Sequence, residues 1–265
     1  MTILDTILEQ KRIEVEILKA HFKLKDFEKS PFFFEKTVSM KNSIVSKGFG
    51  IIAEIKRKSP SAGVLKDNLD PVLLGNEYQN SGVSGISVLT DFNFFGGSID
   101  DLMEVKRNVT IPVLRKDFII DEIQIFQAKA IGADAILLIA EAMSEEKALH
   151  FTILAQSLGM EVVMEFHEKS EMYKLNDEVD IIGVNNRNLK LQKTDISTSL
   201  ELFDFLPKNK VLISESGLQS KEDLVKIANV GYNGALIGES ILKSESSKDF
   251  IFGLTPNYEH LIEKR

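Results

Sequence analysis

The chain reads as an α/β protein, a single (β/α)8 TIM barrel behind an N-terminal helical extension. Three observations support that expectation. From residue 48 onward short apolar runs alternate with amphipathic stretches, which implies βαβ units and a parallel sheet. The apolar runs number eight, which favours a closed barrel over an open doubly wound sheet. No Gly-x-Gly-x-x-Gly follows the first run, which counts against a dinucleotide fold. A length of 265 residues, 43% of them hydrophobic, suits one such domain. Residues 1–47 are expected to form the extension and 48–265 the barrel, with no low-complexity linker and no room for a fused second domain.

In the extension Leu4, Leu8, Val15 and Leu18 recur at helical spacing, with Glu and Lys filling the opposite face. Ser30-Pro31 marks a break, and Phe32-Phe33-Phe34 should pack against something larger. The expected result is a helical cap over one end of the barrel. The eight strands are expected at 50–56, 85–90, 111–116, 135–140, 161–166, 181–185, 211–215 and 235–238. Helical patterns fill the gaps, for example 122–131, 144–158 and 220–230.

Strand one is the most informative. Glu54 and Lys56 stand two apart and so share one face, while Ile52 and Ile55 take the remaining space. An otherwise aliphatic strand rarely places two charges on one face without using them. The C-terminal end of a barrel strand is where this fold keeps its chemistry. Polar groups also end strand three (Arg115-Lys116-Asp117), strand five (Glu165), strand six (Asn185-Asn186-Arg187), strand seven (Glu215-Ser216-Gly217) and strand eight (Gly238-Glu239). Any one of these alone suits a rim salt bridge or a helix cap. Six of eight strand ends together do not, because a purely structural barrel has no need of them.

Two glycine-bearing turns, 214–217 after strand seven and 236–240 after strand eight, occupy the usual phosphate position of the fold. Glycine lets backbone N–H groups approach a ligand, and the following helix points its positive end at the same spot. Residues 91–98, Asp-Phe-Asn-Phe-Phe-Gly-Gly-Ser, admit two readings. They are either a hydrophobic loop packed on the extension or a flap whose aromatic stacks on a planar ring.

Composition removes several classes. A net charge of -8 makes nucleic acid a poor partner. With no cysteine there is no disulfide, thiolate metal site or cysteine nucleophile, and the four histidines show no metal-ligand spacing. No signal-peptide pattern opens the chain and no apolar run is long enough to span a bilayer, so a cytoplasmic protein without a membrane role is expected.

Together these motifs resemble the indole-3-glycerol phosphate synthase family of tryptophan biosynthesis. The resemblance runs from the N-terminal helix to about residue 243. It rests on Ile-Ile-Ala-Glu-Ile-Lys-Arg-Lys-Ser-Pro-Ser, Val-Leu-Thr-Asp with Phe-Phe-Gly-Gly-Ser, Val-Leu-Arg-Lys-Asp-Phe-Ile-Ile-Asp, Gly-Ala-Asp-Ala-Ile-Leu-Leu-Ile, Gly-Val-Asn-Asn-Arg-Asn-Leu, Ser-Glu-Ser-Gly and Leu-Ile-Gly-Glu-Ser, in that order. The first of these is the family's signature.

The resemblance implies a lone barrel with an N-terminal helical extension, no cofactor and no metal. Its substrate would be 1-(2-carboxyphenylamino)-1-deoxyribulose 5-phosphate, closed to indole-3-glycerol phosphate with loss of carbon dioxide and water. Lys116 would be the general acid on the substrate carbonyl. Glu165 and Lys56 would serve the later proton transfers, with Glu54 and Asn185 close by. Phe95 would contact the anthranilate ring. Ser59, Ser216, Gly217, Gly238 and Glu239 would line the phosphate end, with Arg187 and Glu215 at the mouth.

Departures are few. Ala62 replaces a lysine often seen after Ser-Pro-Ser. Glu239 stands where some members have serine, so its carboxylate must turn away from a phosphate. The tail from about residue 244 matches no motif. Partnership with other enzymes of the same pathway is left open.

The residues agree with that chemistry. An acid must polarise a ketone and help remove its oxygen as water, and a base must take the last ring proton; lysine and glutamate suit these jobs. Crowding Lys56 and Lys116 into one mouth is expected to leave one amine neutral, with Glu54 holding the other charged. The cationic cluster would draw in an anionic substrate despite the acidic whole. Another phosphate-binding barrel, such as phosphoribosylanthranilate isomerase, would ask for a Cys/Asp pair, which the absence of cysteine disfavours. A non-catalytic binding barrel should have lost some of Glu54, Lys56, Lys116, Glu165 and Asn185.

Overall fold

The protein closes on itself as an eight-stranded parallel barrel, seen here in a computed structural model that describes residues 2–188 and 193–254. Its strands are β1 (Gly50–Ile55), β2 (Gly85–Leu89), β3 (Val113–Lys116), β4 (Ala135–Ile139), β5 (Glu161–Phe166), β6 (Ile181–Asn185), β7 (Val211–Glu215) and β8 (Gly234–Ile237). Each pairs with the next in sequence, and β8 pairs with β1 to complete the ring. Helices cover the outside.

Three strands span the residues expected, and the others shift by one or two. β3 starts late because Pro112 has no N–H for the ladder, although its carbonyl accepts from Ile86 N–H at 3.0 Å. β8 starts one residue early, at Gly234, where a side chain would meet the Gly50 carbonyl oxygen at 2.5 Å. Only glycine allows those backbones so close.

Strand alternation splits the apolar residues into two layers. Ile52, Leu114, Leu137, Val163, Ile213 and Leu236 fill the barrel interior. Ile51, Ala53, Ile55, Val88, Ile136 and Val184 pack outward beneath the helices. Ile52 therefore shares the inner face with Glu54 and Lys56, and only Ile55 lies on the other side.

The extension closes both ends of the barrel, not the one expected. The helix Ile3–His21 is capped by Thr2, whose hydroxyl accepts from Asp5 N–H while Asp5 returns the bond. Its Leu4 and Ile7 join the interior cluster at the C-terminal mouth. Met40 and Ile44, on the helix Met40–Ser46, plug the opposite end against Gly50 and Gly85. A side chain on Gly50 would meet Ile44 Cα at 2.8 Å.

Two expectations for the extension need correction. Lys11 does not lie on a solvated face but is 3% exposed. Of the three phenylalanines, Phe32 is buried with Arg107 over its ring, whereas Phe34 is 78% exposed. Beyond residue 244 the helix Ser247–Leu254 buries Ile251 and Leu254 in the outer core layer. Residues 255–265 of the expected barrel domain, and Leu189 of the fifth motif, lie outside the described residues.

Candidate active site

At the C-terminal mouth the inward positions of five strands converge. Alternation sends Lys116 inward and Arg115 away from the mouth. Arg115 binds Thr90 Oγ1, the Gln124 carbonyl, Gln127 and Asp117 behind the strand. Likewise Glu215 points in while Ser214 points out. Asn185 lines the mouth while Asn186 braces the turn behind it.

Lys116 is the hub. Its Nζ donates to Glu165 Oε2 at 2.9 Å and to Glu215 Oε2 at 2.7 Å. Beside it Lys56 donates to Glu54 Oε1 at 2.5 Å, with both residues buried. Burial opposes the charge on Lys116, but Glu165, Glu215 and Glu54 outweigh it and push its pKa above the usual lysine range. The expected neutral amine is therefore not Lys116: the mouth brings more carboxylates around it than the pairing of lysines suggested.

The two carboxylates on Lys116 diverge. Burial raises Glu215, Lys116 pulls it back and Glu165 raises it again, leaving it pushed up to about 7. Glu165 feels the same burial, but Lys116 and His167 hold it below the usual carboxylate range. His167 Nε2 lies 3.2 Å from Glu165 Oε1, close enough for an ion pair but off the line of a hydrogen bond. Burial lowers His167, yet Glu165, Glu171 and Glu141 together push it above its ordinary value.

Two connected cavities share Glu54, Lys56, Lys116, Arg187 and Ser216. The apolar one, about 90 Å³, is walled by Ile3, Leu4, Ile7, Phe95, Phe118 and Leu137. Phe95 sits on the short helix Phe92–Phe95, whose N–H groups at Phe94 and Phe95 are capped by Asp91. The loop is tied to the extension, since Asp91 also binds Lys11 at 2.9 Å.

The polar cavity, about 340 Å³, reaches the turns after β7 and β8 and is lined by Ser216, Gly217, Gly238 and Glu239. Ser216 and Gly217 both take positive φ, 66° and 74°. For serine this is strained, and Asn186 holds it by donating to the Ser216 carbonyl at 2.9 Å. Glu239 turns its carboxylate to Lys243 at 2.6 Å and Arg187 at 3.6 Å.

One expected contact does not reach the cavity. Ser59 is buried and its hydroxyl accepts from Ala62 N–H at 3.2 Å. Ser61 lines the cavity instead and accepts from Arg187 at 2.6 Å. Sequence reasoning also passed over Lys243, legible as an i,i+4 partner of Glu239, and His167, which follows Glu165 by two on the same strand face. The helical stripe through Leu4 was legible, but that Ile3, Leu4 and Ile7 wall the apolar cavity was not, because only the docking of the extension creates that wall.

Glu141, His167 and Glu171 also gather, each offering an atom within 4.8 Å of the others. Glu171 Oε2 already accepts from the N–H groups of His167 and Glu168, and His167 leans on Glu165. We read the group as a charge network and not as a metal centre. Among the described residues no helix is long and apolar enough to cross a membrane.

Such a fold and mouth define a class: a (β/α)8-barrel enzyme equipped for acid–base chemistry. The family model for indole-3-glycerol phosphate synthase matches residues 4–254. An indole-3-glycerol phosphate synthase of Chloroherpeton thalassium is 44% identical, over 92% of this chain and 96% of the relative. One of Bacteroides thetaiotaomicron is 41% identical, over 91% and 93%. The chain belongs to the indole-3-glycerol phosphate synthase family. Among solved structures, the tryptophan synthase α subunit of Legionella pneumophila superposes with a TM-score of 0.60 at 12% identity, covering 83% of this chain and 98% of that one. That likeness concerns the fold alone.

Proposed function

We propose that this protein converts 1-(2-carboxyphenylamino)-1-deoxyribulose 5-phosphate to indole-3-glycerol phosphate at the joined cavities of its mouth. The observation behind this reading is the placement of Lys116. It stands where the apolar and polar cavities meet, charged, between Glu165 and Glu215. An aryl ring in the slot and a phosphate near the glycine turns would set the substrate ketone beside it.

Proton accounting gives each group a task. The ketone oxygen gains two protons and leaves as water, one proton returns from the ring carbon, and the carboxylate departs as carbon dioxide. One proton is therefore consumed per turnover. Lys116 polarises the ketone and donates the first proton, and Glu215, able to hold a proton near neutrality, resupplies it. Glu165, held ionised, accepts the ring proton. Lys56, oriented by Glu54, serves the departing oxygen, and Asn185 orients the ring-closing intermediate.

The apolar wall with Phe95 receives the anthranilate ring. The phosphate lies between Ser216-Gly217 and Gly238-Glu239, where backbone N–H groups can face an anion, with Arg187 and Ser61 beside it. Neither a cofactor nor a metal enters this scheme. A cytoplasmic site of action and association with other tryptophan-pathway enzymes belong to the same proposal and rest on the family's biosynthetic role.

Incubating the purified protein with the carboxyphenylamino substrate and following indole fluorescence tests the reading. Stoichiometric release of carbon dioxide with rising fluorescence is expected. Absence of turnover by folded protein would refute it.

A further inference from the structure

Glu165 and Glu215 are nearly equivalent as partners of Lys116, at 2.9 and 2.7 Å, and both are buried. They differ at the second oxygen. Glu165 Oε1 faces His167 Nε2 at 3.2 Å. Glu215 Oε1 has no hydrogen-bond partner and presses on Gly183, where any side chain would collide with it. A buried, unpartnered oxygen is far more costly on a carboxylate than on a neutral carboxyl. Two carboxylates sharing one lysine therefore do not hold their charge equally.

His167 is buried and lines neither mouth cavity, so it stands behind Glu165 and away from substrate. Burial, with both ring nitrogens lacking a hydrogen-bond partner, opposes charge on the ring, but the three carboxylates around it favour an imidazolium. Glu165 faces it from β5, Glu171 from the following 3-10 turn, and Glu141 from the turn after β4. Glu171 also fixes the backbone there, accepting from His167 N–H at 2.8 Å. The nearby cations are engaged elsewhere: Lys174 donates to the Ala140 carbonyl at 2.8 Å, and Lys116 lies across Glu165.

We propose that His167 is a positioning residue that assigns the site's mobile proton. As an imidazolium it pins Glu165 as the carboxylate and leaves the proton on Glu215. The inference rests on the acid–base reading above and deepens it. One lysine then has an acceptor on one side and a donor on the other at the same pH. Without His167 the two carboxyls would approach equivalence, and a fraction of the enzyme would hold the proton on the wrong one.

The test is a pH titration of side-chain carboxyl carbons by NMR in free enzyme labelled with 13C-glutamate, using Glu165→Gln and Glu215→Gln to assign the signals. In the native protein Glu215 should titrate near neutrality while Glu165 remains ionised. In His167→Asn the Glu165 midpoint should climb by about one pH unit or more, the loss expected for one neighbouring cation, and the Glu215 midpoint should fall. The acid limb of the kcat profile should move upward with it, with KM little changed.

An unchanged Glu165 midpoint would overturn the proposal and leave His167 a packing residue. Should His167→Asn not fold, Glu171→Gln decides. It keeps the backbone acceptor but removes a charge behind the imidazole, and should shift Glu165 the same way by less; no shift there is equally adverse. The titrations need no substrate, so an inert native enzyme would sink the proposed reaction and leave this test standing.

Discussion

Lys116 shows what a single residue gains from its neighbours. A lone buried amine would shed its proton, but two carboxylates within 3 Å keep it charged where the ketone is expected. Lys116→Ala should leave the barrel folded and lower turnover by about 100- to 10,000-fold, the range for a lost general acid. Near-native turnover, with circular dichroism confirming the fold, would remove Lys116 from the mechanism.

Glu215 makes a second, opposite statement about pH. Its folded pKa, pushed up to about 7, lies above the ordinary value of 4.5. The folded state then binds the extra proton, so this carboxyl's contribution to stability is full below about pH 4.5 and is lost as pH rises to 7. Glu215→Gln should remove that slope. Melting temperatures of the two proteins should converge or cross between these limits, while parallel curves would mean Glu215 titrates normally.

At the scale of elements, the turn after β7 is the most demanding piece. Gly217 takes φ 74°, and a side chain there would meet Thr194 Cγ2 at 2.5 Å. Gly217→Val should weaken substrate, product and inorganic phosphate alike, and a dephosphorylated analogue much less. Equal losses for both kinds of ligand, read by calorimetry, would mean general distortion and leave the phosphate placement unsupported.

The helix Ile3–His21 is joined to the mouth by one buried charge. Lys11 Nζ reaches Glu14, Asp91 and Asp117 at 2.7, 2.9 and 3.0 Å. Asp91 caps the helix bearing Phe95, and Asp117 adjoins Lys116. Lys11→Met would leave Asp91 buried without its cation and Asp117 with Arg115 alone, and a loss of about 3 kcal/mol is expected in denaturant unfolding. A change within about 0.5 kcal/mol, the range of ordinary surface substitutions, would show the cluster is not needed.

For the whole molecule, periodicity made the barrel legible, because strand alternation and helical spacing are local properties. The strand ends were legible for the same reason: Glu54, Lys116, Glu165, Asn185 and Glu215 break otherwise apolar runs. Ser59 was not, since the hairpin after β1 decides whether Ser59 or Ser61 faces the cavity. Lys11 looked solvated because its partners lie 80 and 106 residues away in sequence, at Asp91 and Asp117. The closure of both barrel ends by one extension was equally invisible, being a matter of docking and not of pattern.

In the proposed reaction one lysine, at the junction of an apolar slot and a phosphate cavity, organises the chemistry. A crystal structure of the protein with indole-3-glycerol phosphate tests it most directly. The indole should lie against Phe95 and Phe118, the phosphate between Ser216-Gly217 and Gly238-Glu239, and Lys116 Nζ within hydrogen-bond reach of the bridging glycerol or ring atoms. A phosphate held elsewhere, or a product that leaves Lys116 bound only to its two carboxylates, would contradict it.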